Sequence, residues 1–216
     1  MTPQPTFAWP QPLAERYRPR RIADFIGLDK PRKVLENYIL RPYPAAWVFV
    51  GPPGTGKTTM ALALTDELRA ELQYVPSQKC NAEAIENACR RCWYMPLQGT
   101  FHVVLIDEAD RMSNAAQLAL LSKLDATAYP PATIFIFTCN STDGLEPRFL
   151  SRCRVLEFSS YGIGDAAAEL LSRVWDAETD RNPETAPPNF RRIVKESNNN
   201  VRDALMKLEI ELLAAR

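Results

Sequence analysis

The sequence predicts an α/β protein with a mainly parallel, doubly wound sheet, followed by a small all-helical domain. Short apolar runs alternate with segments of helical periodicity as far as residue 158, which is typical of a parallel sheet with crossover helices. The run Val103–Ile106 has no polar alternation, as expected for a strand buried on both faces. Beyond residue 158 only helical patterns remain, so we expect the sheet to end there.

The elements follow in order along the chain. Residues 1–13 include four prolines, which block a helix and remove strand donors, so we predict an extended arm. Apolar spacing then predicts these elements: a helix from Pro31, strand 47–50, a helix from Lys57 or Thr58, a weak strand 73–76, helix 82–93, strand 103–106, a helix capped by Ser113 or Asn114, strands 133–138 and 155–158, and helices 165–175, 190–197 and 201–214. The predicted domains are the arm (1–13), an α/β domain (14–161) and a helical domain (162–216).

Composition and charge exclude several classes of protein. Lysine plus arginine and aspartate plus glutamate number 26 each, so nucleic acid would bind only through a local patch. Apolar runs such as Trp47–Val50 are far shorter than the roughly 20 residues of a membrane span, and no secretory signal is visible. An odd count of five cysteines argues against a disulfide framework. We expect a cytoplasmic protein, or a nuclear one if the source is a eukaryote.

Residues 51–58, GPPGTGKT, match the phosphate-loop pattern G-x-x-x-x-G-K-[ST] between a predicted strand and a predicted helix. Glycines let backbone amides wrap a triphosphate at a helix N-terminus. Lys57 would reach the β and γ phosphates, and the Thr58 hydroxyl would ligate Mg²⁺, whereas the alternative is an ordinary Gly/Pro turn. The predicted cofactors are ATP and Mg²⁺, and the predicted contacts are Gly51, Pro52, Pro53, Gly54, Thr55, Gly56, Lys57, Thr58 and Thr59.

Carboxylates follow the apolar run 103–106 and form a second motif. Asp107 would orient the shell of the Mg²⁺ ion, and Glu108 would polarise the attacking water. Two adjacent carboxylates in this role indicate hydrolysis rather than transfer of phosphate to a second nucleotide. Asn140 directly follows the strand predicted at 133–138 and could hold the same water, although a polar residue at a strand end is usually a turn former.

From Ala14 to about Leu213 the chain resembles AAA+ ATPases of the clamp-loader group, in particular small subunits of replication factor C and their bacterial counterparts. The Ser-Arg-Cys triplet at 151–153 is the most discriminating feature. The other matching segments are ERYRPR (15–20), DFIG (24–27), the phosphate loop, DEADRMS (107–113), AQ (116–117), AL (119–120), FTCN (137–140), EP (146–147) and the Leu150 that precedes the triplet.

The resemblance implies a P-loop AAA+ core and a helical lid. It assigns Asn140 as the sensor-1 residue, Arg202 as the sensor-2 arginine and Arg152 as a finger that acts in trans. The residues it places around the adenine are Ala14, Arg18 and Ile26. It also implies an oligomer of loader subunits in which ATP binding opens a sliding clamp on primer-template DNA and hydrolysis releases both.

The sequence departs from the family pattern in two respects. Family subunits normally continue into a helical collar domain, whereas this sequence stops at Arg216; a minimal form, a fragment or a different mode of assembly would each fit. Cys80, Cys89 and Cys92 have a spacing reminiscent of the zinc module of bacterial loaders. The fourth cysteine of that module is missing and two of these lie on a predicted helix, so zinc is not favoured.

The sequence is also compatible with other roles for some residues and with other functions. Lys79, Arg90, Arg91 and Arg111 could contact DNA phosphates or could form an ordinary solvated face. Trp47, Trp93 and Trp175 fit a core or an interface better than a platform for bases. The chain could also be a related AAA+ remodeller of fork or junction DNA, or a structural subunit that binds nucleotide without turning it over.

Overall fold

The computed structural model describes residues 11–180 and 186–215, without the side chain of Ser77. The predicted arm, apart from residues 11–13, lies outside these ranges. The chain divides into two compact units. The sheet unit is Pro19–Ile163, and the helical unit combines the described parts of Met1–Arg18 and Gly164–Arg216.

A five-stranded sheet forms the centre of the sheet unit. Its strands are β1 (Ala45–Val50), β2 (Glu71–Pro76), β3 (His102–Asp107), β4 (Thr133–Cys139) and β5 (Arg154–Glu157). Their order is β2-β3-β4-β1-β5, and every neighbouring pair is parallel. The predicted parallel sheet is therefore confirmed, and the carboxyl ends of β3, β4 and β1 lie side by side.

Helices cover both faces of this sheet because successive strand residues point to opposite sides. On one face, Val48 and Phe135 share a core with α4 (Ala82–Arg91) and α5 (Asn114–Lys123). On the other face, Phe49 and Ile136 share a core with α2 (Asp29–Leu40) and α3 (Lys57–Glu67). The doubly wound arrangement is thereby confirmed. The sheet unit also contains α6 (Pro147–Leu150).

A side-chain cap begins α5 at a residue that the sequence predicts. The Ser113 hydroxyl accepts a hydrogen bond from the amide of Ala116 at 3.2 Å, so Ser113, rather than Asn114, caps α5. Helix α4 ends at Arg91 instead of at the predicted Trp93. Pro96 disfavours a helical conformation at the residue before it, which is consistent with this earlier end.

The helical unit contains α1 (Leu13–Arg16), α7 (Ile163–Glu178, whose first residue belongs to the sheet unit), α8 (Phe190–Glu196) and α9 (Val201–Ala214). Leu13, predicted as part of the extended arm, instead begins α1 and is buried. Burial of its side chain and the 2.7 Å ion pair between Arg16 and Glu178 of α7 attach this short helix to the unit. No helix in the described residues is long and apolar enough to cross a membrane.

Candidate nucleotide-binding site

The loop between β1 and α3 has the backbone that a phosphate loop requires. Gly56 caps α3 with a φ of +89°, a left-handed conformation that glycine adopts without strain. At Gly51 a Cβ atom would lie only 2.0 Å from the Phe158 carbonyl oxygen. This close approach arises because the chain leaving β5 stays bonded to β1, where the Phe158 amide donates to the Val50 carbonyl at 2.7 Å. Only glycine fits at position 51.

Lys57 directs its ammonium group into this loop. Its side chain is buried, and Nζ donates to the carbonyls of Gly51 at 2.7 Å and Pro52 at 2.8 Å. Nζ also lies 3.1 Å from Oδ1 of Asn140. The parallel pairing of β1 with β4 ends at Val50 and Cys139, so the residues that follow these strands are neighbours. The structure thus brings together two predicted site residues that are 83 positions apart.

Asp107 is the last residue of β3 and faces the start of α3. Its Oδ1 accepts hydrogen bonds from the Thr58 hydroxyl at 2.7 Å and from the Thr138 hydroxyl at 2.5 Å. Its Oδ2 accepts one from the Tyr74 hydroxyl at 3.2 Å. Burial, followed by the neighbouring Asp107 charge, raises the pKa of Tyr74, so the phenol remains a donor at neutral pH. Carboxylate and hydroxyl oxygens are the hard ligands that Mg²⁺ prefers, and the donor set fits that ion.

Glu108 follows directly but has a different environment. Its backbone is left-handed, with a φ of +55°, and its amide donates to the Thr138 hydroxyl at 3.1 Å. Thr138 therefore bonds to both residues, since the same hydroxyl donates to the Asp107 carboxylate. The Glu108 carboxylate is half-exposed and lies 3.1 Å from Nη1 of Arg111. It is accessible to water, as a residue that activates a water molecule must be.

The backbone of Asn140 is held by Asp110, which follows β3. Its amide donates to Oδ2 of Asp110 at 3.2 Å, while Oδ1 of Asp110 is buried without a hydrogen-bond partner in the described part of the chain. Burial, with a further contribution from Asp110, raises the pKa of the neighbouring Cys139 thiol to about 12. The Cys139 thiol is therefore neutral at physiological pH.

Most of the other predicted contacts lie in the same loop or directly after it, and one lies before α2. Thr55 is buried, and its hydroxyl donates to the Pro52 carbonyl at 2.9 Å. Thr59 is buried in the first turn of α3. Pro53 and Gly54 complete the loop, and the partly buried Ile26 precedes α2. Their contacts with a nucleotide stay a prediction.

The predicted arginines and the remaining adenine residues belong to other segments of the chain. Arg152 follows α6; its Nη1 donates to the Arg148 carbonyl at 2.8 Å, and its Nη2 lies 3.9 Å from Asp125. Arg202 is an exposed residue in the first turn of α9, in the helical unit. Ala14 in α1 and Arg18 just after it also belong to that unit. The roles of these four residues remain predictions.

The cysteines with zinc-like spacing are part of the apolar core. Cys80, Cys89 and Cys92 are buried in the core between the sheet and α4, and the Cys92 thiol donates to the Ala88 carbonyl at 3.2 Å. Burial raises their pKa values to about 11, 12 and 11. No cluster of three or more His, Cys, Asp or Glu residues suited to a metal ion occurs in residues 11–180 and 186–215.

The residues proposed for DNA phosphates are all exposed: Lys79, Arg90, Arg91 and Arg111. Three of them already have side-chain partners. Arg90 donates to Asn87, Arg91 donates to Gln73 at 3.1 Å, and Arg111 pairs with Glu108. Of the tryptophans, Trp47 and Trp175 are buried, in line with a core role, whereas Trp93 is 57% exposed.

Sequence reasoning missed the polar residues that support the motifs. Thr138 lies inside an apolar strand, where its hydroxyl looks like an ordinary β-branched side chain, and only the adjacency of β3 and β4 reveals its partners. Tyr74 lies on the weakly predicted strand β2, outside every motif. Asp110 and Thr138 lie within the matching segments 107–113 and 137–140, whereas Tyr74 has no sequence signal.

Residues 47–161 match the family described as "ATPase family associated with various cellular activities (AAA)". A replication factor C small subunit of Picrophilus torridus is 34% identical over 152 residues, which are 67% of this chain and 47% of that protein. Replication factor C subunit 4 of Oryza sativa subsp. japonica is 29% identical over 213 residues, 94% of this chain and 61% of that protein.

Solved structures give the same fold. The Holliday junction branch migration motor RuvB of Thermotoga maritima superposes with a TM-score of 0.72 at 20% identity, covering 89% of this chain and 64% of that one. The chain spans about half the length of the Picrophilus relative. The family match covers more than half of the chain and includes the phosphate loop and the Asp107–Glu108 pair. The chain therefore belongs to the AAA family of ATPases, and within that family it is similar to the small subunits of replication factor C.

Proposed function

We propose that this chain is an ATP-hydrolysing clamp-loader subunit that works in an oligomer, coupling ATP binding to the opening of a sliding clamp and its loading on primer-template DNA. The observation that carries the proposal is the meeting of Lys57, Thr58, Asp107, Glu108 and Asn140 at one edge of a parallel sheet. This is the edge at which open α/β sheets bind their ligands.

Binding of ATP would use groups that are already in position. The amides at the start of α3 and the Lys57 ammonium would hold the β and γ phosphates, with the phosphate oxygens replacing the Gly51 and Pro52 carbonyls around Nζ. Thr58 and Asp107 would hold Mg²⁺, which would neutralise charge on the phosphates. Arg202 would contact the γ-phosphate from the lid, as the family resemblance implies.

Hydrolysis would then depend on the half-exposed carboxylate of Glu108. Glu108 would accept a proton from the attacking water, and the Asn140 side chain would orient that water. Thr138 would hold the Asp107 carboxylate beside the Glu108 backbone, because its single hydroxyl donates to Oδ1 of Asp107 and accepts from the Glu108 amide. Arg152 would complete the site of a neighbouring subunit, where a guanidinium can stabilise charge that develops on the phosphates.

Two exposed apolar surfaces are suited to contacts with protein partners. On α9, Met206, Ile210 and Leu213 are 52–66% exposed and follow helical spacing, so they form one stripe. We assign this stripe to subunit contacts in the oligomer. After α4, the segment Trp93–Leu97 carries four large side chains that are 57–91% exposed, and we assign it to the sliding clamp.

The test of this proposal is Mg-ATP turnover per protomer across a dilution series, with and without primed DNA and the sliding clamp of the same organism. We expect specific activity to rise with protein concentration, DNA and clamp, and to collapse in Lys57→Ala and Arg152→Ala. Arg41→Ala, at the exposed end of α2, is the matched control. The double change Met95→Ser with Leu97→Ser should remove the response to the clamp only.

Two other results of this experiment would indicate a different function. Turnover that responds to branched DNA but never to a clamp would make the chain a remodeller of fork or junction DNA. ATP binding without turnover under every condition would make it a structural subunit. Either result overturns the clamp-loader proposal.

A further inference from the structure

The edge strand β2 contributes a side chain to the proposed magnesium site. Strand β2 pairs with β3 so that Tyr74 lies opposite Leu105 and Pro76 lies opposite Asp107. The Tyr74 side chain reaches two positions along the strand, and its hydroxyl donates to Oδ2 of Asp107 at 3.2 Å. No sequence motif of the nucleotide site includes Tyr74.

The two carboxylate oxygens of Asp107 accept hydrogen bonds from different donors. Oδ1 already accepts two hydroxyls, from Thr58 at 2.7 Å and Thr138 at 2.5 Å, and each carboxylate oxygen has about two acceptor positions. Oδ2 is therefore the oxygen with capacity left for a metal ion or for water in its shell. The donor that the structure gives to Oδ2 is the Tyr74 hydroxyl.

This arrangement fixes the plane of the carboxylate. Hydroxyls on Oδ1 alone leave the group free to tilt about the Cβ–Cγ bond, whereas a third donor on Oδ2 defines its orientation. Tyr74 uses one acceptor position of Oδ2 and leaves the second available. Loss of the phenol hydroxyl would leave the metal ligands present but less well oriented.

We propose that Tyr74 is a positioning residue of the magnesium site, acting through Oδ2 of Asp107. The proposal deepens the proposed function and rests on it, because it takes Mg-ATP as the ligand. It predicts that Tyr74 sets the Mg²⁺ requirement of nucleotide binding while contributing nothing to binding of the nucleotide alone.

The experiment uses Tyr74→Phe, which keeps the ring and removes the hydroxyl. Binding of a fluorescent ATP analogue is titrated against Mg²⁺ and measured separately in EDTA. Because the Tyr74–Asp107 hydrogen bond is exposed, an ordinary net hydrogen-bond strength predicts that the half-saturating Mg²⁺ concentration rises about three- to tenfold. We expect binding in EDTA to stay unchanged and the free energy of unfolding to fall by no more than one exposed hydrogen bond contributes. Tyr161→Phe is the matched control, because Tyr161 is 92% exposed and should leave all three readouts unaltered.

The outcomes separate this proposal from the proposed function. An unchanged Mg²⁺ requirement in Tyr74→Phe, beside a normal Mg²⁺ response of the wild-type protein, refutes the role of Tyr74 alone. Equal weakening of binding with and without Mg²⁺ also refutes it, since that result indicates a general structural effect. A wild-type protein whose nucleotide binding ignores Mg²⁺ overturns the proposed function and the Tyr74 proposal together.

Discussion

Gln117 offers a quantitative test of how the segment between Asn140 and Arg152 is held. Its side chain is completely buried in α5, where Nε2 donates to the Gly144 carbonyl at 2.9 Å and Oε1 accepts from the Glu146 amide at 2.8 Å. Both bonds are made to the loop that connects β4 with α6. We expect the change Gln117→Met to keep most of the side-chain volume while removing both hydrogen bonds.

The expected cost follows from those two bonds. An intramolecular hydrogen bond contributes about 1 kcal/mol net, so Gln117→Met should lower the free energy of unfolding by about 2 kcal/mol. For a chain of this size that loss corresponds to a decrease in Tm of about 4–8 °C. Because the loop follows Asn140 directly, we also expect ATP turnover to fall in the variant.

Chemical denaturation followed by circular dichroism measures this cost. Leu118→Met is the matched control, since Leu118 is the next residue of α5 and is 55% exposed; its effect should be below about 0.5 kcal/mol. A Gln117→Met variant as stable as the control would refute the argument that these two bonds hold the loop.

Two further predictions follow from the sheet unit. Gly51→Ala should abolish ATP binding and destabilise the fold, because its Cβ would lie 2.0 Å from the Phe158 carbonyl; calorimetry that finds normal ATP affinity would contradict this. Burial raises the pKa of all five cysteines to about 11 or 12, against about 8.5 in an unfolded chain. Stability should therefore be full below about pH 8.5 and decline as the pH rises toward those values, and equal urea midpoints at pH 7.5 and pH 10 would exclude this linkage.

Much of the site could be predicted because its motifs are local. A glycine-rich loop between a strand and a helix requires only neighbouring residues, and Lys57 and Thr58 are fixed by it. Asp107 and Glu108 follow one apolar run, so their strand could be recognised from composition. Their proximity to Asn140 could be predicted because parallel strands end at the same edge of the sheet.

The supporting contacts could not be predicted, because they depend on strand order and register. Thr138 reaches Asp107 only since β4 lies between β3 and β1, and Tyr74 reaches it only through the register of β2. The left-handed backbone of Glu108 has no signal in a sequence without glycine at that position. The prolines before Leu13 predict an extended arm. Leu13 is instead helical, because α1 is stabilised by burial of this side chain, which depends on tertiary structure.

The most direct test of the central claim is Glu108→Gln, which replaces the proposed base by an amide of the same shape. We predict that Mg-ATP still binds with nearly wild-type affinity while turnover falls by about a hundredfold or more. Single-turnover hydrolysis measured beside equilibrium binding gives both quantities from one preparation. Undiminished turnover in the Glu108→Gln protein would show that this carboxylate is not the base and would contradict the mechanism built on the site.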